Sequence, residues 1–375
     1  MPKPKYVAYS ITLIGVMGVS AITPGLPEIA RAFNINSVKA SLLITAFTLP
    51  GIFFSPVTGF MADKFGRKLV ISTSIFIFGF SGIICAFSNF ETMVLLRIIQ
   101  GISASALVAL STTIIGDAYT GLERQKIIGY NASILTVGIA FYQLFGGFLS
   151  HFGWNYPFYI FLLAFPVGFF VLFSKLPDVK ESFNFLDVIN YLNRDMLTLF
   201  FFGFIAYSLL YGTFLAYLPF VIYKIGGSSI IVGIIQAIMS LSTAFFAANL
   251  TRISKKLKEK IISVGYIAYT TSLIIIFFSL LMKCELCLVL SSIVFGYAQG
   301  TVLPTLQHSI VSMTEKDGRA TIMSIYGSIS KLGQTFGPIF YGMFNLDIVY
   351  IVGATIAITS AVTSKQVLKM KHYFQ

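Results

Sequence analysis

IIGYNASILTVGIAFYQLFGGFLSHFGWNYPFYIFLLAFPVGFFVLFS, from Ile127 to Ser174, runs for 48 residues without one Asp, Glu, Lys or Arg. A helix needs ~20 apolar residues to cross the hydrocarbon core of a bilayer. The stretch therefore holds two spans, divided at the turn-like HFGWNYP, His151 to Pro157. Working outward, further uncharged runs extend over Tyr6–Pro27, Ala40–Ala62, Leu69–Phe90, Ile98–Gly116, Met196–Tyr223, Ile225–Thr251, Ile261–Met282, Leu286–Thr314 and Ile348–Ser364. Arg319–Met343 adds a span broken only by Lys331. The expectation is an all-α membrane protein of twelve transmembrane helices. Twelve spans use about 240 residues of the 375, which leaves room for loops and none for a soluble catalytic domain. Composition agrees: 56% hydrophobic and 11% charged, with mean hydropathy +0.85, against roughly 45–50% and ~25% in soluble domains.

A net charge of +12 raises the question of nucleic acid, and the placement of the charge answers it. With a cytoplasmic N-terminus and alternating spans, Arg97 and Lys331 fall inside spans and only Arg31, Lys39, Lys224 and Lys283 fall outside the cell. The other twenty of the 26 Lys and Arg lie on the cytoplasmic side. This is the positive-inside bias of a multi-pass protein with both termini cytoplasmic. The first run follows MPKPK as a signal peptide would, but it is too long and leads into TPGLPEIARAF instead of a small-residue cleavage site. It reads as the first helix.

The chain reads as a duplication: an N-terminal six-helix bundle over 1–174, a cytoplasmic linker over 175–195 and a C-terminal bundle over 196–375. Shifting by 195 residues pairs Gly101 with Gly296, Arg124 with Arg319, Ser133 with Ser328, Gly138 with Gly333, Phe141 with Phe336 and Gly147 with Gly342, without a gap. Such parallel halves imply a pseudo-two-fold axis along the membrane normal and a substrate site at the repeat interface.

GFMADKFGRKLV, Gly59 to Val70, joins the second and third spans. Gly66 permits a tight turn there, and Asp63, Arg67 and Lys68 are fixed charges at helix ends. The segment resembles the G-x-L-A-D-x-x-G-R-K loop of the major facilitator superfamily, departing at Met61. RIIQG, Arg97 to Gly101, looks like the R-x-x-Q-G of that superfamily's drug:proton antiporters, and TPGLPEIA around Pro24 and Pro27 resembles their first-helix exit. The fifth span departs from the antiporter signature, with Tyr142 and Gln143 where Gly-Pro stands. The resemblance implies the major facilitator fold, and a conformational latch formed by Gly59, Asp63, Gly66, Arg67, Lys68 and Asp117, in which Asp117 accepts Arg67. It implies proton-coupled efflux of small organic molecules by alternating access.

Charges inside spans are costly and mark function. Arg97 shares a helical face with Gln100, which suits a polar groove; a guanidinium reaching the outer headgroups is the alternative. Lys331 lies twelve residues from either end of its span, beyond the reach of a lysine stem to an interface, and Gln334 shares its face. No Asp or Glu occupies the middle of any span, so an anionic or neutral polar substrate fits better than a lipophilic cation. Proton coupling then falls to Lys331, His308, Asp117 or Glu28. Glu28 and Arg31 read as an outer-surface ion pair. Tyr207 and Tyr211, with Phe214, form one face of the seventh span, where substrate lining and helix packing are equally consistent. Cys284 and Cys287 form a lone C-x-x-C, short of a structural metal site's ligand set, with a disulfide left open. The reading is a monomeric plasma-membrane carrier with no cofactor, no metal, no nucleic-acid partner and no enzymatic activity. An organic-anion importer or uniporter of the same fold is the alternative, and a polytopic enzyme or receptor lacks a cluster of His or carboxylates to support it.

Overall fold

The computed structural model describes residues 3–174, 176, 194–314 and 319–367; the side chains of Pro56, Asp63, Val108, Ala109, 319–321, Gln366 and Val367 also fall outside the description. Most of the expected linker, 175–195, lies outside the described residues. The chain divides into two compact units, Met1–Ser182 and Phe183–Gln375.

The first unit carries α1 (Pro4–Ala32), α2 (Ser37–Thr48 and Pro50–Phe65), α3 (Arg67–Phe87), α4 (Phe90–Ala118), α5 (Gly121–Ser150) and α6 (Tyr156–Leu172). The second carries α7 (Arg194–Lys224), α8 (Ser229–Ala248), α9 (Leu250–Met282), α10 (Glu285–Ser312), α11 (Arg319–Gly342) and α12 (Leu346–Val367). Among the described residues there is no strand. Ten of these rods have the length and composition to cross a membrane. α6 is shorter, and α11 is diluted by Lys331, Gln334 and three serines. Large side chains such as Phe53, Phe60, Phe80, Phe201 and Phe245 stand exposed. On a soluble surface so much bare apolar area would drive association; on a bilayer-spanning rod it faces lipid.

Local signals set the helix ends. Asn36 and Asn89 cap α2 and α4, their carbonyl oxygens accepting from Lys39 N and Thr92 N at 2.9 Å each, which satisfies donors that a helix start leaves open. Gly66 takes φ 90°, a conformation that side chains disfavour, and so turns α2 into α3. α7 widens to a π-helix over Leu209–Tyr217 just before Pro219, whose ring and missing N–H cannot continue the normal ladder.

Without a hydrophobic drive between helices in lipid, close packing needs small residues. Both units supply them at corresponding places. An added Cβ on Gly101 of α4 would run into the backbone of Phe47 in α2, and one on Gly296 of α10 would sit 2.7 Å from Met239 O in α8. Gly333 and Gly337, spaced as G-x-x-x-G, bring α11 against the α7 backbone at Phe204 and Ser208. α4 and α10 begin 195 residues apart, at Phe90 and Glu285, the offset of the sequence repeat.

Candidate functional site

Arg97 is fully buried inside the first unit, as is Gln100. The guanidinium donates through Nε to Leu43 O of α2 at 3.2 Å, through Nη1 to Gln100 Oε1 at 2.5 Å and through Nη2 to Gly18 O of α1 at 2.6 Å. Its Cζ stands 4.4 Å from the centroid of the Phe47 ring. Gln100 Nε2 in turn donates to Phe78 O of α3 at 3.1 Å.

The backbone explains why one of these carbonyls, Gly18 O, can accept. In α1 the Ile22 N–H bonds Val19 O, not Gly18 O, because the helix tightens to a 3-10 turn at Thr23–Gly25. Gly18 O thereby loses its usual i+4 donor and takes the arginine instead. Gly18 also leaves space for the Phe47 ring, and Gly82 leaves space for the Gln100 amide, whose Nε2 would lie 2.5 Å from an added Cβ. The groove expected beside Arg97 and Gln100 is thus filled by Phe47, Phe161 and main chain, and the arginine points inward to carbonyls instead of outward to headgroups.

Lys331 is half-buried on α11, and its Nζ donates to Gln334 Oε1 at 3.2 Å. Among the described residues no carboxylate forms an ion pair with it. Gly327, one turn earlier on the same face, borders open space: an added Cβ there meets nothing within 4 Å. The α7-facing glycines Gly333 and Gly337 lie between about a third and a half of a turn round the helix from Lys331, at ~100° per residue. Tyr207, half-buried, packs at that α7 crossing, its Cβ 3.0 Å from a Cβ added to Gly333. It therefore lies on a different side of α11 from Lys331. Tyr211, one turn along α7, is also half-buried.

Tyr142 and Gln143 are buried in α5. His308 is exposed on α10. At the end of the first unit, Arg67 pairs with Asp117. An arginine at the start of α3 and an aspartate at the end of α4 each oppose their own helix dipole, and the pair offsets both. Both partners belong to the first unit, so the ion pair does not by itself require the two units to meet. Arg124 approaches the same end, its Nη2 3.1 Å from a Cβ added to Gly116. Gly59 faces open space, Lys68 is half-buried, and the Asp63 side chain lies outside the described residues. Glu28 and Arg31 form the expected pair at 3.7 Å, with Arg31 exposed and Glu28 half-buried.

Uncharged polar groups also pair inside the spans. Thr12 of α1 reaches Ser111 Oγ of α4 at 2.9 Å and Asn131 Oδ1 of α5 at 2.8 Å. In the second unit Tyr269 OH donates to Gln299 Oε1 and Tyr266 OH donates to Phe202 O at 2.5 Å. Amides inside apolar spans are the signal that would have found them, since lipid offers no partner for a polar side chain.

Two units of six helices, with single cations set among apolar residues, define a multi-pass membrane protein. The chain belongs to the Major Facilitator Superfamily, whose profile matches residues 8–338. It is 28% identical over 183 residues to the quinolone resistance protein NorA of Staphylococcus aureus, covering 48% of this chain and 47% of that protein, so the match spans about half the length of this relative. Multidrug resistance protein 2 of Bacillus subtilis is 26% identical over 357 residues, covering 90% of this chain and 88% of that protein. Among solved structures, the nucleoside transporter NupG superposes with TM-score 0.81 at 18% identity over 99% of this chain and 100% of that one. A D-xylose-proton symporter superposes with TM-score 0.80 at 16% identity over 96% of each chain. At these identities the structures establish the fold alone.

Proposed function

We propose that the protein is a secondary active transporter that exports small organic molecules across the plasma membrane in exchange for protons, with Lys331 as the charge that meets the substrate or the coupling proton. One observation carries the reading. Of the two cations inside the spans, Arg97 spends donors on main-chain carbonyls, while Lys331 meets a neutral amide and stands next to open space at Gly327. An ammonium held at mid-span without a counter-ion costs several kcal/mol, ~2.5–3.5 on the insertion scale, and an anionic or strongly polar ligand would recover part of it. The resistance proteins among the relatives support outward transport of drug-like molecules. In this reading the two units act as the six-helix halves of an alternating-access carrier, with Arg97 and Gln100 holding the first half together and the Arg67–Asp117 pair steadying its inner end.

The absence of a mid-span carboxylate also favours a second reading, uptake or facilitated diffusion of organic anions. Counterflow in proteoliposomes separates the two. Export by antiport predicts that an imposed pH gradient drives substrate against its concentration, and counterflow that ignores the gradient would select the uniporter.

A further inference from the structure

The turn between α9 and α10 holds chemistry that the transport reading leaves unused. α9 ends at Met282, and Lys283 follows in the left-handed conformation at φ 53°. Cys284 is then fastened twice to buried Ser279: its N–H donates to Ser279 O at 3.1 Å, and Ser279 Oγ donates to its carbonyl at 2.6 Å. This fixed residue is the N-cap of α10, and no backbone N–H is capped by its side chain. Its sulfur instead accepts from Cys287 Sγ, one turn into the helix, at 2.8 Å. Both thiols are free and partly exposed.

We propose that Cys284 and Cys287 are a redox-active dithiol, oxidised by small-molecule disulfides to an intramolecular bridge across the α9–α10 turn. The pair is already in contact, on a backbone that the Ser279 bonds hold in place, so closure needs no rearrangement of helices. Residues three apart at a helix start also lie within the span of Cα separations that a disulfide tolerates. Cys284 is the attacking sulfur. The hydrogen bond from Cys287 holds its pKa below the usual thiol range, and the helix N-terminus favours the thiolate further. The thiolate attacks one sulfur of the reagent R–S–S–R, giving a mixed disulfide and releasing RS⁻. Cys287, deprotonated, then attacks Cys284 Sγ and expels the second RS⁻. The two protein thiols are oxidised by two electrons, the reagent is reduced to two thiols, and the two protons pass to the released RS⁻ groups. The chain's third cysteine, Cys85, is buried in α3 and serves as an internal control.

The test uses the intact chain in detergent, exposed to oxidised glutathione, quenched with N-ethylmaleimide under native conditions and weighed whole. Before oxidation two maleimides should add. Afterwards none should add, no glutathione should remain, and the protein should be two hydrogens lighter, with dithiothreitol restoring both reactive thiols. Cys287→Ser should trap one glutathione on Cys284, because the resolving sulfur is gone. Two retained glutathiones on the unsubstituted chain, or two maleimides added after oxidation, would overturn the proposal.

Discussion

Arg97 in the first unit and Lys331 in the second are both cations placed inside apolar helices, yet their surroundings differ in kind. Arg97 is enclosed by α1, α2 and α3, with two carbonyls, an amide oxygen and an aromatic ring around one guanidinium. Its planar fork can serve several acceptors at once. Lys331 is a point charge beside one amide, on a helix face that opens at Gly327. The repeat makes the contrast sharper. At the 195-residue offset Arg97 corresponds to Ser292, whose hydroxyl only donates to Leu288 O of its own helix at 2.8 Å, and Lys331 corresponds to Thr136, which does the same to Ala132 O at 3.0 Å. Each unit thus keeps one charge that its counterpart lacks. The saturated cation ties helices of the first unit together, whereas the proposed function rests on the unsaturated one.

The largest effect that this contrast predicts is on folding. Arg97→Ala removes charge-assisted hydrogen bonds worth about 1.5–3 kcal/mol each and strands Gly18 O, so thermal unfolding in detergent should show a loss of at least ~3 kcal/mol. Melting close to that of the unsubstituted chain would dissolve the distinction. Gly101→Ala and Gly296→Ala probe what the two units share. Each should destabilise by about 1–3 kcal/mol, because backbone pressed against the new methyl has nowhere to go, and comparable losses in paired melts would support common construction. Lys331→Ala should leave melting little changed while weakening anionic ligands at least tenfold, about 1.4 kcal/mol, relative to neutral ones in ligand-induced thermal shifts. Equal losses for anionic, neutral and cationic ligands would make Lys331 a structural residue. Asp117→Asn should have the smallest effect on ligand binding, which is retained, while transport in vesicles slows, since the exchange leaves the buried Arg67 guanidinium without the charge that offsets it at the helix ends. Unchanged turnover would remove the Arg67–Asp117 pair from the mechanism.

Residues near each other in sequence were the legible ones. Gly66 was readable as the turn, and its φ of 90° is what a glycine at that point permits. The Glu28–Arg31 pair followed from helical spacing. Helical spacing puts Arg97 and Gln100 on one face, where they are hydrogen-bonded to each other, but both are fully buried instead of bordering a groove. Their acceptors Gly18, Leu43 and Phe78 lie 79, 54 and 22 residues from the donors, and no periodicity within α4 reports on them. Sequence spacing makes both Tyr207 and Lys331 candidates to meet a ligand, whereas the glycine seam between α7 and α11 puts the tyrosine on another side of the helix.

What the sequence determined by itself was the solvent and the family. Long uncharged runs exclude water as the surrounding medium however the chain folds, because the energy of putting each residue in lipid is summed along one segment at a time. The Gly59–Val70 turn and its charges belong to the same local class of information. Only the tertiary structure decided which of two equally conspicuous cations is satisfied. Whether a charge finds partners depends on carbonyls that other helices leave free, and Gly18 O is free only because α1 tightens at Thr23–Gly25 while Phe47 and Gly101 let α2 and α4 close around it. That condition joins three helices at one point, and it exists only once they are packed.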